Sequence, residues 1–132
     1  MSHNFSLKNT NTILYCQHWQ ETVDFYRRKL QFPITFESDW FVEFQLTPTS
    51  RLSVADERRA TIKSSGGAGL TLTFQVADAD QAWQALNGRG LSLGPLKDHV
   101  WGARVFYFFD PEGHRLEVWS EKWGKLNLPG TI

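Results

Sequence analysis

The sequence predicts an α+β fold made of two βαβββ modules. Three observations carry this. The order of hydrophobic periodicities runs strand, helix and three strands, and then repeats. The two runs share a short identity, with "RLSVAD" at Arg51 lining up with "RLEVWS" at Arg115, and the same offset laying Phe44 on Phe108. Each predicted strand also alternates apolar with polar or aromatic positions at a period of two. At 132 residues, 41% hydrophobic and 21% charged, the chain fits a single domain.

The elements follow in order. Thr12–Gln17 reads as a strand, and Gln20–Leu30 as a helix in which Thr22, Phe25, Tyr26 and Leu30 recur at helical spacing before Pro33. Strands are expected at "ITFES", "WFVEFQL" and "RLSVAD", with "TPTS" as a turn. This first module covers about 11–56, and the polar, glycine-rich stretch 57–69 links it to the second, about 70–120. There, "LTLTFQV" is a strand and "DADQAWQAL" a helix with Asp78 as N-cap and Gly88 or Gly90 as C-cap. Strands around Leu91–Leu93, Arg104–Phe109 and Arg115–Trp119 complete it, and the tail 121–132 has no strong pattern.

Alternation sorts the faces. Leu14, Cys16, Val42, Phe44, Leu52, Val54, Leu72, Phe74, Phe106, Phe108, Leu116 and Val118 form an apolar face that must pack on the helices. Glu43, Ser53, Thr71, Thr73, Tyr107, Glu117 and Trp119 fall on the other, which is either a ligand groove or a solvated surface.

Composition bounds the function. Zero formal net charge argues against nucleic acid or an anionic membrane as the main partner. One cysteine, Cys16, excludes an internal disulfide and suits a reducing compartment. No apolar run has transmembrane length and no signal-peptide pattern opens the chain, so the cytoplasm is expected. "SSGGAG" lacks the lysine of a phosphate loop and precedes a strand, which excludes nucleotide binding there, and "DERR" (Asp56–Arg59) reads as a solvated edge.

Two stretches, "ETVDFYRRKLQF" (Glu21–Phe32) and "FYFFDPEGHRLEVW" (Phe106–Trp119), resemble the vicinal-oxygen-chelate superfamily of glyoxalase I, extradiol dioxygenases and the fosfomycin- and bleomycin-resistance proteins. The first resembles the family's FY…L-G-F helix end, with Gln31 where glycine is usual. The second resembles its closing hairpin, D-P-[DE]-G followed by a strand glutamate. The likeness spans about Asn11 to Ser120. It implies two βαβββ modules curling into an incomplete mixed β-barrel with the helices outside, a homodimer, and in catalytic members one divalent metal.

By the resemblance, the metal positions fall on Asn11, Thr71 and Glu117, with Ser53 as a fourth by the internal repeat. Glutamate is a good ligand. Asparagine, threonine and serine are weak neutral donors that do not build a tight zinc, nickel or iron site. Of the four histidines, His99 is kept as a candidate ligand near a cavity rim, and His3, His18 and His114 read as surface or turn residues. Glu117 could instead be a solvated strand carboxylate, or half of a pair with Arg115 or Arg51. Tyr107 matches a cavity-facing aromatic of the fosfomycin-resistance branch. Trp40, Trp101 and Trp119 could form an aromatic wall, Arg104 could contact an anionic ligand, and Glu43 could join Glu117 in acid–base work.

The ligand-binding residues expected are therefore Glu117, Tyr107, Trp101, Glu43, Trp119 and Arg104. The function they support first is small-molecule binding of the glyoxalase/bleomycin-resistance type, without the full metal set and without a cofactor. The alternatives are a metal-dependent enzyme (a lyase, dioxygenase or thiol transferase) with an atypical site at Glu117, and an interaction module that binds no small molecule.

Overall fold

The computed structural model describes residues 4–122; His3 and the tail beyond Lys122 lie outside the described residues. The chain forms two compact units, passing from one to the other at Gly66–Gly67, within the expected linker. Each is a four-stranded mixed sheet with one helix on one face.

In the first unit the strands are β1 (Thr10–Cys16), β2 (Ile34–Glu37), β3 (Phe41–Thr47) and β4 (Ser50–Asp56), in sheet order β1-β4-β3-β2. The second repeats this with β5 (Thr71–Gln75), β6 (Lys97–His99), β7 (Ala103–Phe109) and β8 (Arg115–Glu121), in order β5-β8-β7-β6. In both, the first strand runs parallel to the last and the other pairs are antiparallel. The repeat extends to register: Phe44 opposes Leu52 and Phe108 opposes Leu116, at the offset read from the sequence.

Helix α1 (Trp19–Asp24) continues as one π turn, Phe25–Lys29, where a single α-helix over Gln20–Leu30 was expected. The wider turn is closed by the Leu30 amide donating to the Phe25 carbonyl at 3.0 Å, and it keeps both Phe25 and Tyr26 buried. Tyr26 lies 6.0 Å from Phe44, so this helix covers the apolar face, with Leu14, Cys16, Val42, Leu52 and Val54 also buried. Helix α2 (Ala79–Asn87) is capped as expected, Asp78 accepting from the Gln81 amide at 3.1 Å. The Ala79 amide donates to Ser120 Oγ at 3.0 Å, which seats α2 on the β8 face that buries Leu116 and Val118.

Three further expectations are corrected. Leu91–Leu93 is not a strand; the second strand of the second module is β6, after Pro95, whose missing N–H cannot extend a ladder. His114 is no surface residue. It is 4% exposed, its Nδ1 lying 2.8 Å from Asp110 Oδ2, while Asp110 Oδ1 accepts from the amides of Glu112, Gly113 and His114. Asp56, read as part of a solvated edge, is buried and bonded by Arg58, whose guanidinium and amide hold the Asp56 carboxyl below the usual carboxylate range.

Candidate functional site

The face of the second sheet turned away from α2 is set by register. Tyr107, Glu117 and Thr73 stand side by side across β7, β8 and β5, with Phe109, Arg115 and Thr71 in the next row. On the other side come Lys97, Val105, Trp119 and Gln75. The floor is closed, Ala103 and Val105 being buried, while Tyr107, Glu117 and Trp119 are half-buried above it.

Glu117 is held by hydroxyls. Thr73 Oγ1 donates to Glu117 Oε1 at 2.6 Å. Burial, and then the Glu117 carboxylate beside it, push the Tyr107 phenol above its ordinary range, while Arg115 pulls the other way. Arg115 is the natural counter-ion for Glu117, but it is engaged elsewhere. Its guanidinium lies 4.7 Å from the centre of the Tyr107 ring and its Nε donates to Thr71 Oγ1 at 3.1 Å. Among the described residues Glu117 has no ion-pair partner; neither Arg115 nor Arg51 supplies one.

Next to this cluster the rings of Trp101 and Trp119 meet edge to face at 5.9 Å and 65°, and His99 packs on Trp101 at 5.8 Å. Trp101 sits at the tip of the β6–β7 hairpin, 63% exposed. His99 Nε2 is buried without a hydrogen-bond partner. Of the expected aromatic wall, Trp101 and Trp119 come together, whereas Trp40 belongs to the first unit and packs on Phe41 at 5.5 Å.

The first unit carries the counterpart cluster. Glu43, Ser53 and Ile13 occupy the row that Tyr107, Glu117 and Thr73 occupy in the second. The carboxylate has changed strands, from β8 in the second unit to β3 in the first. A threonine hydroxyl again donates to it, Thr35 Oγ1 to Glu43 Oε1 at 2.7 Å. Here the arginine does meet the carboxylate: Arg51 approaches Glu43 at 3.5 Å. Ser53, fully buried, donates to Asn11 Oδ1 at 2.9 Å. Asn11, Ser53 and Thr71 thus each hold a hydrogen bond within their own sheet. Among the described residues no three His, Cys, Asp or Glu side chains stand together as a metal-binding group.

Arg104 is not part of the Glu117 cluster. Alternation turns it to the helix face, where it bonds Asp80 at 2.9 Å and Asp98 at 3.0 Å, beside a polar cleft of about 260 Å³ lined by Asp78, Asp80, Arg104, Ser120, Glu121 and Lys122. Both carboxylates raise the Arg104 pKa, and Asp98 is lowered in turn. The expected anion contact is thus filled from within the protein.

Two residues of the cluster escaped the sequence reading. Thr73 shares its face with Thr71 by alternation, but which threonine meets Glu117 depends on the β5–β8 register, which sequence does not supply. From the sequence Arg115 reads as a partner for Glu117, and its stacking on Tyr107 depends on rotamers.

Residues 9–118 match the family described as the Glyoxalase/Bleomycin resistance protein/Dioxygenase superfamily. The structure is similar to that of a glyoxalase/bleomycin resistance protein/dioxygenase from Nocardioides, with a TM-score of 0.76 and 22% identity over 100% of this chain and 92% of that one. It is similar to TnmS3, an antibiotic binding protein from Streptomyces sp. CB03234, with a TM-score of 0.72, 19% identity and coverage of 91% and 99%. It is also similar to a lactoylglutathione lyase from Agrobacterium tumefaciens, with a TM-score of 0.70, 17% identity and coverage of 94% and 99%. At such identities these three likenesses show the fold alone. With the family matched over most of its length and both βαβββ modules in place, this chain belongs to the Glyoxalase/Bleomycin resistance protein/Dioxygenase superfamily.

Proposed function

We propose that this protein binds a small molecule non-covalently on the second-module sheet face, in the manner of the antibiotic-binding members of its superfamily. It does so without the metal used by the catalytic members. The observation that carries the reading is Glu117: a half-buried carboxylate fixed by a hydroxyl, left without a counter-ion by the diversion of Arg115, beside a tryptophan pair. A charge held in this way is set to meet a ligand.

The donor chemistry speaks against the family metal. Asn11, Ser53 and Thr71 offer neutral oxygens already committed to Ser53, Asn11 and Arg115, and one carboxylate alone does not hold a transition-metal ion. The proposal also takes the protein to be a homodimer, as the family resemblance implies, and cytoplasmic, as its composition leads one to expect. Among the described residues no helix is long and apolar enough to cross a membrane.

The test combines metal analysis of protein purified without chelator with a thermal-shift screen of a broad compound library. The expected outcome is no stoichiometric metal and at least one stabiliser whose effect is lost in Glu117→Gln, because a ligand specific to the folded state raises its stability. Stoichiometric zinc, nickel, manganese or iron that disappears in Glu117→Ala would replace this reading with the metal-dependent enzyme. A screen without any stabiliser would favour the interaction module.

A further inference from the structure

We infer that Trp83 and Gly94 are positioning residues for the Glu117 site: from the helix side of the second sheet they hold the Tyr107 backbone, and with it the bond from the Tyr107 phenol to the Glu117 carboxylate. What that bond does for a ligand rests on the binding function proposed above. The positioning itself is measured without a ligand, so either can fail alone.

The need for such a hold follows from where β6 ends. Its ladder with β7 pairs His99 with Ala103 and Lys97 with Val105. Two residues further on, Pro95 would stand opposite Tyr107, and proline has no N–H to give to the Tyr107 carbonyl. The Gly94 amide donates to that carbonyl instead, at 2.8 Å. In the first unit the edge strand reaches the same row by itself, Phe36 of β2 standing opposite Glu43. In the second, Gly94 supplies the bond that Pro95 withholds, one residue out of register.

The same bond sets the side chains. In an antiparallel strand the N–H and C=O of one residue point to the same neighbouring strand. The Tyr107 carbonyl faces Gly94, so towards β8 Tyr107 and Glu117 form a non-hydrogen-bonded pair, the kind whose side chains stand closest. That closeness lets the phenol bond the carboxylate across the strands. Glu117 thus accepts from two hydroxyls, those of Tyr107 and Thr73. A shift of β7 at Tyr107 acts directly on the first, because hydrogen bonds weaken steeply with misalignment.

Gly94 is gripped in turn from α2. The Trp83 indole N–H donates to the Gly94 carbonyl at 2.9 Å. The chain between α2 and β6 has no helix or strand of its own, and at Gly94 it is tied on both sides, by its amide to β7 and by its carbonyl to the helix. The approach is close enough to demand glycine. A Cβ on Gly94 would fall 3.1 Å from the Tyr107 carbonyl oxygen, so a side chain there pushes the edge segment and β7 apart.

The experiment labels the tyrosine Cζ carbons of the full chain with carbon-13 and follows them by NMR as the pH is raised. Tyr15→Phe and Tyr107→Phe assign the signals of the three tyrosines. A phenol that donates to a carboxylate holds its proton more tightly, so losing the bond moves Tyr107 down towards the ordinary tyrosine range. Glu117→Gln sets the full fall. Trp83→Phe, which deletes the indole N–H and keeps a ring, and Gly94→Ala are each expected to give about half of that fall or more. Leu86→Ala, a loss on the same helix that removes none of these bonds, is expected to leave Tyr107 where it is. The Gly94 amide gives a second readout: its hydrogen exchange should be about tenfold or more faster in Trp83→Phe, the scale of one lost hydrogen bond. Far-ultraviolet circular dichroism confirms that the variants fold, and Trp83→Phe decides alone if Gly94→Ala does not. A Tyr107 titration unmoved in Trp83→Phe, one that Leu86→Ala moves as far, or unchanged exchange at Gly94 would overturn the inference. Each of these results would leave the proposed binding at Glu117 intact.

Discussion

Gln31 is the one non-glycine residue among those described with positive φ, at 60°. It sits where the first helix turns back on itself: the Phe32 amide donates to the Tyr26 carbonyl at 3.1 Å, a return that a left-handed residue makes possible. In L-residues that conformation crowds Cβ against the carbonyl and costs about 1–2 kcal/mol, while glycine takes it freely. Gln31→Gly is therefore expected to stabilise the protein by about 1 kcal/mol, the relief of strain being partly offset by the greater entropy of the unfolded glycine. Urea denaturation should show a higher midpoint with an unchanged slope. The same scale shows what sequence does and does not reveal. That Gln31 replaces a usual glycine was legible from the family pattern. That Arg115 abandons Glu117 while Arg51 keeps Glu43 was not, because rotamers and cross-strand neighbours decide it.

At the scale of elements, period-two alternation assigned the strand faces correctly, since burial of one face leaves the other as the only outlet for polar side chains. The helix cap at Asp78 and the turn at Asp110–Gly113, closed by the Gly113 amide on the Asp110 carbonyl at 3.0 Å, were also readable as local chemistry. Register and the π turn were not, because each depends on contacts distant in sequence, whereas the start of β6 beyond Pro95 is local chemistry. The glycine-rich linker illustrates the point. It reads as a link between modules, yet Gly67 is packed against the closing hairpin. A Cβ there would fall 2.2 Å from the Gly113 carbonyl oxygen, and its φ is 87°. Gly67→Ala must push the loop off the Asp110–His114 turn as well as strain its own backbone. The expected loss is about 2–3 kcal/mol, in the range of combined overpacking and positive-φ strain. Gly66→Ala, also at positive φ but with open space around it, should lose only the backbone part. Chemical denaturation of the two variants side by side separates packing from strain.

At the scale of the molecule, each unit is half of a 132-residue chain, one helix on one four-stranded sheet. A domain of about 60 residues buries a small share of its unfolded surface and is marginal without disulfides or metal. Cys16, the sole cysteine, provides no disulfide within the chain, and the donor set around Glu117 does not suit a structural metal. We therefore propose that the two modules constitute one domain, and this predicts one cooperative unfolding transition. Tryptophan makes the prediction measurable module by module. A variant retaining only Trp40 reports on the first unit and one retaining only Trp83 on the second. Their thermal midpoints should coincide with each other and with that from far-ultraviolet circular dichroism. Adding Gly67→Ala, a change in the second unit, should lower the Trp40 midpoint as much as the Trp83 midpoint. Two separate transitions, or a Gly67→Ala effect confined to the Trp83 probe, would mean that each βαβββ unit is a domain in its own right, stable enough alone to carry its own cluster of carboxylate, arginine and threonine.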